Sequence, residues 1–445
     1  MTKRRRTNFR SAIDALESRQ LLAKWYVATT GVDTNKGTID KPFASISRAA
    51  ATAKPGDTVF VRGGTYSPTK QQFIGSSGTS TARISYQPYA SEKVILNGSS
   101  LATATDLVSI MGSYVDFGGF EVKNSRNIGI VVVNASSVRI HDNVVHDNFN
   151  LGIASWSKNQ TDYAGLLIEN NTVYLNAKGK FPGDDNKGGS TQGIGVTAGK
   201  DAIIRGNTVY QNWGQGIGVN RVNGAVVEEN TVSDNYGVNI YLWDQTGCTV
   251  QRNFVYSIGD KRFYRYAMPA PGIQIGTETT LVQSSRNNVV SNNITYNVRC
   301  GFYYGNYAVG GGLLGTVIAN NTFVDSWQGG IWIDSGPHAG SRVVNNIVMQ
   351  KANTKALAVY TKSAGVTFSN NCWFGAGTTP DSVKGAGDVY ADPQLVKPGS
   401  LNPADYALQS TSPLKSRGLF QKQTKIDFGK RSRGTSVDIG AWEIV

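Results

Sequence analysis

Two short stretches of the chain gather side chains that could move a proton beside a carboxylate. The first, "GDDNKGG", carries Asp184, Asp185 and Lys187, and the second, "GDKRFYRYAMPAP", carries Lys261, Arg262 and Arg265. Adjacent carboxylates offer the hard oxygen donors that Ca²⁺ takes. Asp184 and Asp185 are therefore a candidate cation pair, and Asp244, which ends "NIYLWD", could join either set. A lysine or arginine can neutralise a carboxylate on a bound molecule, or take a proton from the carbon next to it. Lys187, Lys261, Arg265 and Arg221 are the candidate catalytic residues, with Arg262 beside them. The competing readings are a polar turn for "GDDNKGG" and a solvated loop for "DKRFYRY".

Such groups act together only if the backbone sets them on one face, and the spacing of asparagines says how. Asn143, Asn171, Asn207, Asn230, Asn253, Asn293, Asn321, Asn346 and Asn371 each precede a short apolar run, at steps of 28, 36, 23, 23, 40, 28, 25 and 25 residues. A unit of 23 to 25 residues, lengthened in places, is a solenoid signature. Within a unit the apolar residues alternate with period two in short pieces, as in "AVVEENTV" and "NIYLW", so the pieces are strands. Three strands per coil fit the length. The expected fold is all-β, a solenoid of stacked parallel coils in which each Asn lies about 4.8 Å from the next. There it can bond both the turn backbone and its neighbour, and adopt the left-handed conformation of a tight turn.

One strand of each coil reads "GIASW", "GIGVT", "GIGVN", "NIYLW", "GIQIG", "GFYYG" and "GIWID" in succession. Alternation turns Ile153, Ile194, Ile217, Ile240, Ile273, Phe302 and Ile331 inward, together with the residues two further on. Trp156, Tyr241, Trp243, Tyr303 and Trp332 then face outward, with Gln274 and Asn220 between them. Aromatic rings on a rigid sheet suit the apolar faces of sugar rings. These seven are the candidate substrate-binding residues. The two longest steps carry insertions, 177–192 and 259–271, placed just ahead of this strand, and "YGNYAVGGGLLG" lies beside it. Long loops on one side of a solenoid mark its binding side.

The bulk properties narrow the partners. The chain has 445 residues, 51 glycines and a net charge of +13, part of it at the start ("MTKRRRTNFR") and part near the end ("KSRGLFQKQTKIDFGKRSR"). A positive balance is either a basic leader with a solvated tail or an attraction to an anionic partner. No helix-turn-helix, zinc-finger or RNA-binding signature points to nucleic acid, and no run of about 18 apolar residues spans a membrane. The expected partner is an acidic polysaccharide, and the chain is expected to be a monomer. Cys248, Cys300 and Cys372 fit no metal spacing and read as small buried side chains. His141, His146 and His338 read as turn or surface histidines, His338 being a lesser site candidate.

With its repeats in view, the chain resembles the right-handed parallel β-helix superfamily of pectate-lyase-like secreted proteins. The opening "WYVATTGVDTNKGTIDKPFASISRAAATAKPGDTVFVRGGTY" is similar to the N-terminal segment of that group, where a short helix, here 44–53, covers the open end of the sheets. The closing "DIGAWE" is similar to its terminal segment. The first residues lack the apolar stretch of an ordinary signal peptide, but "LESRQLLA" resembles the export motif of many planctomycete-type proteins. That resemblance implies a bacterial protein that is secreted, periplasmic or held at the cell surface. The expected organisation is an export leader at 1–23, an N-terminal cap and first coils at 24–100, the β-helix at 101–395, and a C-terminal segment at 396–445 that closes the last coils, its basic stretch running back along the helix.

The superfamily's lyases use a lysine or arginine base with acidic residues holding Ca²⁺, so the resemblance implies a polysaccharide lyase that cleaves a uronic-acid-containing glycan by β-elimination, with Ca²⁺ as its only expected cofactor. The chain departs from that pattern. The segments ahead of the outward strand, "HDNFNLGI", "YQNWGQGI" and "SDNYGVNI", hold only the single aspartates Asp147 and Asp234 in place of a cluster. A glycoside hydrolase or epimerase on the same face, and a carbohydrate-binding or cell-surface protein without catalysis, are the alternatives.

Overall fold

The computed structural model describes residues 22–157, 163–180, 190–279, 285–350, 357–360 and 364–444. Their strands form three sheets of 13, 11 and 12 members, in each of which every strand pairs in parallel with the one from the next coil. The coil from Val226 to Trp243 shows the unit. Val226–Glu228, Thr231–Ser233 and Ile240–Trp243 each belong to a different sheet, separated by turns of two and six residues. The short alternating pieces are strands because β-branched residues fit a pleated, half-buried surface. They are short because the chain must turn a corner after each.

The registers stack like on like. Ile217, Ile240, Ile273, Phe302 and Ile331 are successive partners, and all are fully buried. Burying each such side chain contributes about 1.5–3 kcal/mol. The inward column read from the alternation is therefore the wall of the core.

The asparagine ladder is continuous. The Asn230 backbone N–H and its Nδ2 both donate to Asn253 Oδ1 at 3.0 Å, and the same pair of bonds recurs from Asn143 up to Asn371. The Asp388 carboxylate closes the column by accepting from the Asn371 N–H at 2.8 Å. One detail differs from expectation. The left-handed residue at each turn is the one before the ladder Asn, among them Asp142, Glu229, Arg252 and Asn320 with φ of 54–58°. The ladder Asn keeps an ordinary backbone so that its N–H can point along the column. A second column, Asn148, Asn176, Asn212, Asn235 and Asn239, lines the corner that leads into the 11-stranded sheet.

The N-terminal helix is Ile46–Thr52, with Ser45 accepting from the Arg48 N–H as its cap. Ile46, Ala49 and Ala50 face the core and cover its open end. At the other end the C-terminal segment runs back from the last coils. Leu395, Tyr406, Leu408, Leu414, Ile439 and Ala441 pack along the outer face of the 12-stranded sheet, against Phe254, Ile294, Val324, Ile347 and Cys372. The coil-edge side chains Asn320 and Asn345 bond its backbone at Asp438 (3.2 Å) and Leu419 (2.7 Å). Part of the basic tail is neutralised within the molecule. Lys430 pairs with Glu229 at 2.7 Å, Arg431 with Asp427 at 2.8 Å, and the buried Arg433 with Glu443. The three cysteines are free and buried. Among the described residues no helix is long and apolar enough to cross a membrane.

Candidate active site

The outer face of the 11-stranded sheet carries a groove of about 560 Å³. Its floor is the column Tyr241, Gln274, Tyr303, three successive register partners, with Trp332 the next rung. Trp243 stands beside Tyr241, their rings stacked with centroids 4.7 Å apart. The walls come from Ser190, Gln215, Arg265, Tyr266, Glu278, Arg299 and Tyr307. Glycine is required on this face at Gly276 and Gly305, because a Cβ there would collide with the Tyr241 hydroxyl and the Tyr307 ring, which lie across them.

Hydrogen bonds hold the floor in two separate sets. Gln274 Nε2 donates to Tyr307 Oη (2.9 Å), Tyr307 Oη to Tyr303 Oη (3.3 Å), and Tyr303 Oη to Asp334 Oδ2 (3.0 Å). The other Asp334 oxygen accepts from Trp332 Nε1 at 2.9 Å. At the opposite end Tyr241 Oη donates to Glu278 Oε1 at 2.6 Å. Burial, and then the Glu278 charge, push the Tyr241 phenol far above its ordinary pKa, so it stays a proton donor.

Arg299 is a cation of the groove wall. Its Nη2 donates to the Arg265 carbonyl at 2.6 Å, and its Nε is buried with no hydrogen-bond partner. Burial, and then the charge of neighbouring Arg265, push its pKa below the ordinary value. Among the described residues no carboxylate pairs with it. Both arginines lie over the Tyr266 ring, at 5.1 Å for Arg265 and 5.9 Å for Arg299.

The structure brings together some of the expected residues and disperses others. Tyr241, Trp243, Gln274, Tyr303 and Arg265 line the groove. Trp332 flanks it, held on Asp334. Asn220 is the rung before Trp243, half-buried. Trp156 is 47 % exposed and lies three rungs further back, about 14 Å from Trp243 along the helix. Tyr241 is not an open platform for a sugar ring, since only 3 % of it is exposed. It is a buried part of the floor, and Tyr307, more than half exposed, is the accessible ring.

Lys261 and Arg221 are not among the residues lining the groove. Lys261 is exposed in a short turn capped by Asp260, which bonds Gln211 on the neighbouring corner and pairs with Arg262. Arg221 occupies a left-handed turn position (φ 51°) just past its strand. Lys187, Asp184 and Asp185 lie outside the described residues. Asp244 does not fit a metal ligand. It is 3 % exposed, and its oxygens accept from the backbone N–H groups of Glu278 (2.9 Å) and Thr279 (3.4 Å) and from the Thr279 hydroxyl (3.2 Å). Among the described residues no group of three or more His, Cys, Asp or Glu could hold a metal ion.

Glu278, Arg299, Tyr266 and Tyr307 were not singled out from the sequence. The signal for Glu278 was the 40-residue step from Asn253 to Asn293, which holds a second insertion after the outward strand as well as the one before it. Arg299 stands immediately before "CGFYYG", just ahead of the outward strand.

His338 is built in as a neutral ring. Its Nδ1 accepts from the Leu313 N–H at 3.0 Å, so the proton sits on Nε2, which donates to the Asp334 carbonyl at 2.9 Å. Burial pushes its pKa below the ordinary value. Below a pH of about 6.5 the unfolded chain takes up a proton that the folded chain refuses, so stability falls as pH falls through that range. Tm measured between about pH 7 and pH 5 should therefore drop further for the natural protein than for His338→Gln. Parallel curves would rule out the neutral ring.

Comparison with known proteins agrees with the architecture. Residues 25–323 match the family described as "Pel9A-like, right handed beta helix region". A pectate lyase, PEL9, of Emericella nidulans is 30 % identical over 208 residues, 43 % of this chain and 48 % of that protein, so the match spans about half of that relative's length. An uncharacterised protein of Bacillus subtilis, YwoF, is 34 % identical over 130 residues, 26 % of this chain and 27 % of that one. Among solved structures, the complex of XylC with xylose superposes with a TM-score of 0.64 at 12 % identity, covering 95 % of this chain and 98 % of the other. The pectate lyase Pel9A superposes with 0.53 at 18 % identity, covering 96 % and 98 %. At these identities the superpositions speak for the fold alone.

Proposed function

Because the chain belongs to the Pel9A-like right-handed β-helix family, a fold of carbohydrate-active proteins, we propose that its groove is the active site of an exported, monomeric polysaccharide lyase that cleaves a uronic-acid-containing glycan by β-elimination. The observation that carries this reading is Arg299. A desolvated guanidinium without a counter-charge is costly to keep in a folded protein, and it becomes favourable when an anion enters beside it. A uronate carboxylate is such an anion. In elimination the negative charge on that carboxylate grows as the neighbouring proton leaves, so a fixed cation stabilises the transition state more than the ground state. Arg265 adds a second guanidinium on the same wall. Tyr303, Tyr307 and Trp243 offer ring surface to the adjoining sugars. No step of this reading runs through a metal ion.

The test mixes the purified protein with pectate, alginate and glycosaminoglycan polymers, with and without Ca²⁺. Near-ultraviolet absorbance of a new C=C–carboxylate and the release of reducing ends are followed together. Both should rise with one polymer class, and dependence on Ca²⁺ would report on Asp184 and Asp185. Reducing ends without absorbance would transfer the reading to hydrolysis. Neither signal with any polymer would leave a binding protein.

A further inference from the structure

We propose that Glu278 is the proton-transferring group of the groove, and that Tyr241 and Asp244 are the residues that position it. The inference rests on the lyase reading above and names the residue that would perform its central step. Three carboxylates stand on this stretch of the sheet: Asp244, Asp334 and Glu278. Asp244 is buried, with both oxygens taken by the backbone N–H groups of 278–279 and the Thr279 hydroxyl. Asp334 has Tyr303 on one oxygen and Trp332 on the other. Glu278 differs from both. It is exposed, it lines the groove, and only its Oε1 is held, by Tyr241 at 2.6 Å. Among the described residues Oε2 has no partner, and no lysine, arginine or histidine pairs with the carboxylate.

That arrangement suits a group that must accept and return a proton. Asp244 fixes the backbone of Glu278, the Tyr241 hydroxyl fixes its rotamer, and one oxygen is left to face the substrate. Arg299 and Arg265 line the same groove, so a uronate held by them would present its α-carbon within it. In the elimination, Oε2 takes the proton from the carbon that bears the carboxylate. The C–H electron pair becomes the new C=C bond. The bond from the β-carbon to the glycosidic oxygen breaks, and that oxygen leaves with the electron pair and receives the same proton back from Glu278. Charge and atoms balance without a co-reactant. Lys261 and Arg221, the bases expected from the sequence, do not line this groove.

The test uses Glu278→Gln and Tyr241→Phe in the full chain, on the polymer that the natural protein cleaves. Glu278→Gln should lower kcat by about 10³-fold, with polymer affinity and Tm unchanged. Tyr241→Phe should lower kcat by about tenfold with KM held, since a positioning hydroxyl affects the step and not the binding. An eliminating natural protein with Glu278→Gln within threefold of it would overturn the inference and leave the lyase reading standing. A hydrolytic natural protein with an inactive Glu278→Gln would overturn the lyase reading and keep Glu278 as the proton carrier. Turnover of no polymer by the natural protein would overturn both.

Discussion

Arg299→Met should lower kcat/KM on the acidic polymer by about 10²- to 10³-fold, the usual cost of removing one preorganised stabiliser of developing charge. Its effect on stability should be opposite in character. Among the described residues the Arg299 guanidinium has one hydrogen bond, from Nη2 to the Arg265 carbonyl, and a buried Nε without a partner. A side chain of similar length without the charge removes a desolvated cation from a half-buried position, so Tm should hold or rise. The pairing of lost activity with retained stability is the signature of a residue kept for binding. Arg299→Lys keeps a charge but not the planar fork, and should recover only part of the rate. A variant that loses Tm in step with activity would show instead that Arg299 is structural. The readouts are steady-state kinetics and a thermal melt on the same preparations.

The second large effect concerns the scaffold. Asn253→Ala removes the oxygen that accepts both the Asn230 N–H and Asn230 Nδ2, each at 3.0 Å. It also removes the donor to the Val227 carbonyl at 2.9 Å. All of these groups lie in the core and water cannot replace the lost partner. An unsatisfied buried group costs about 1–3 kcal/mol, so two orphaned donors imply a loss of about 2–6 kcal/mol. Asn253→Asp keeps the oxygens but places a charge in the column, and should be no better than alanine. Chemical denaturation read by circular dichroism gives the loss directly. A change below about 1 kcal/mol would mean that the ladder is decoration on a fold held by its aliphatic core.

The fold was legible because a solenoid repeats its instructions. Each ladder Asn is followed by the same alternation, and register then places Ile217 on Ile240 on Ile273 without further information. The aromatic side of the groove was legible for the same reason, since Tyr241, Gln274 and Tyr303 share a strand position. The charged side was not. Glu278, Arg265 and Arg299 stand on the connections that enter or leave those strands, where the repeat is broken and spacing says nothing about direction. Lys261 and Arg265 are four residues apart in one insertion, yet only Arg265 lines the groove, because Asp260 caps a turn that holds Lys261 by the corner at Gln211. Asp244 was read by its chemistry, and its position gave it different work. A carboxylate that follows a strand in a left-handed turn (φ 54°) finds backbone amides before it finds an ion. The path of the C-terminal segment is not legible in the sequence, because Leu395, Leu408 and Leu414 carry no period that says which face they will cover.

That segment alters how the molecule comes apart. A stack of coils joined only to nearest neighbours behaves as a one-dimensional chain, and such chains fray from their ends, each terminal unit lost for the energy of a single interface. Here the last fifty residues run back over five coils and fasten to the first of them through Phe254 and to a still earlier one through Lys430 and Glu229. Peeling off the final coil therefore means first releasing contacts made far from it. The strap makes the second half of the helix, where the groove lies, open as a single cooperative block, and so protects the groove coils from fraying that starts at the nearby end.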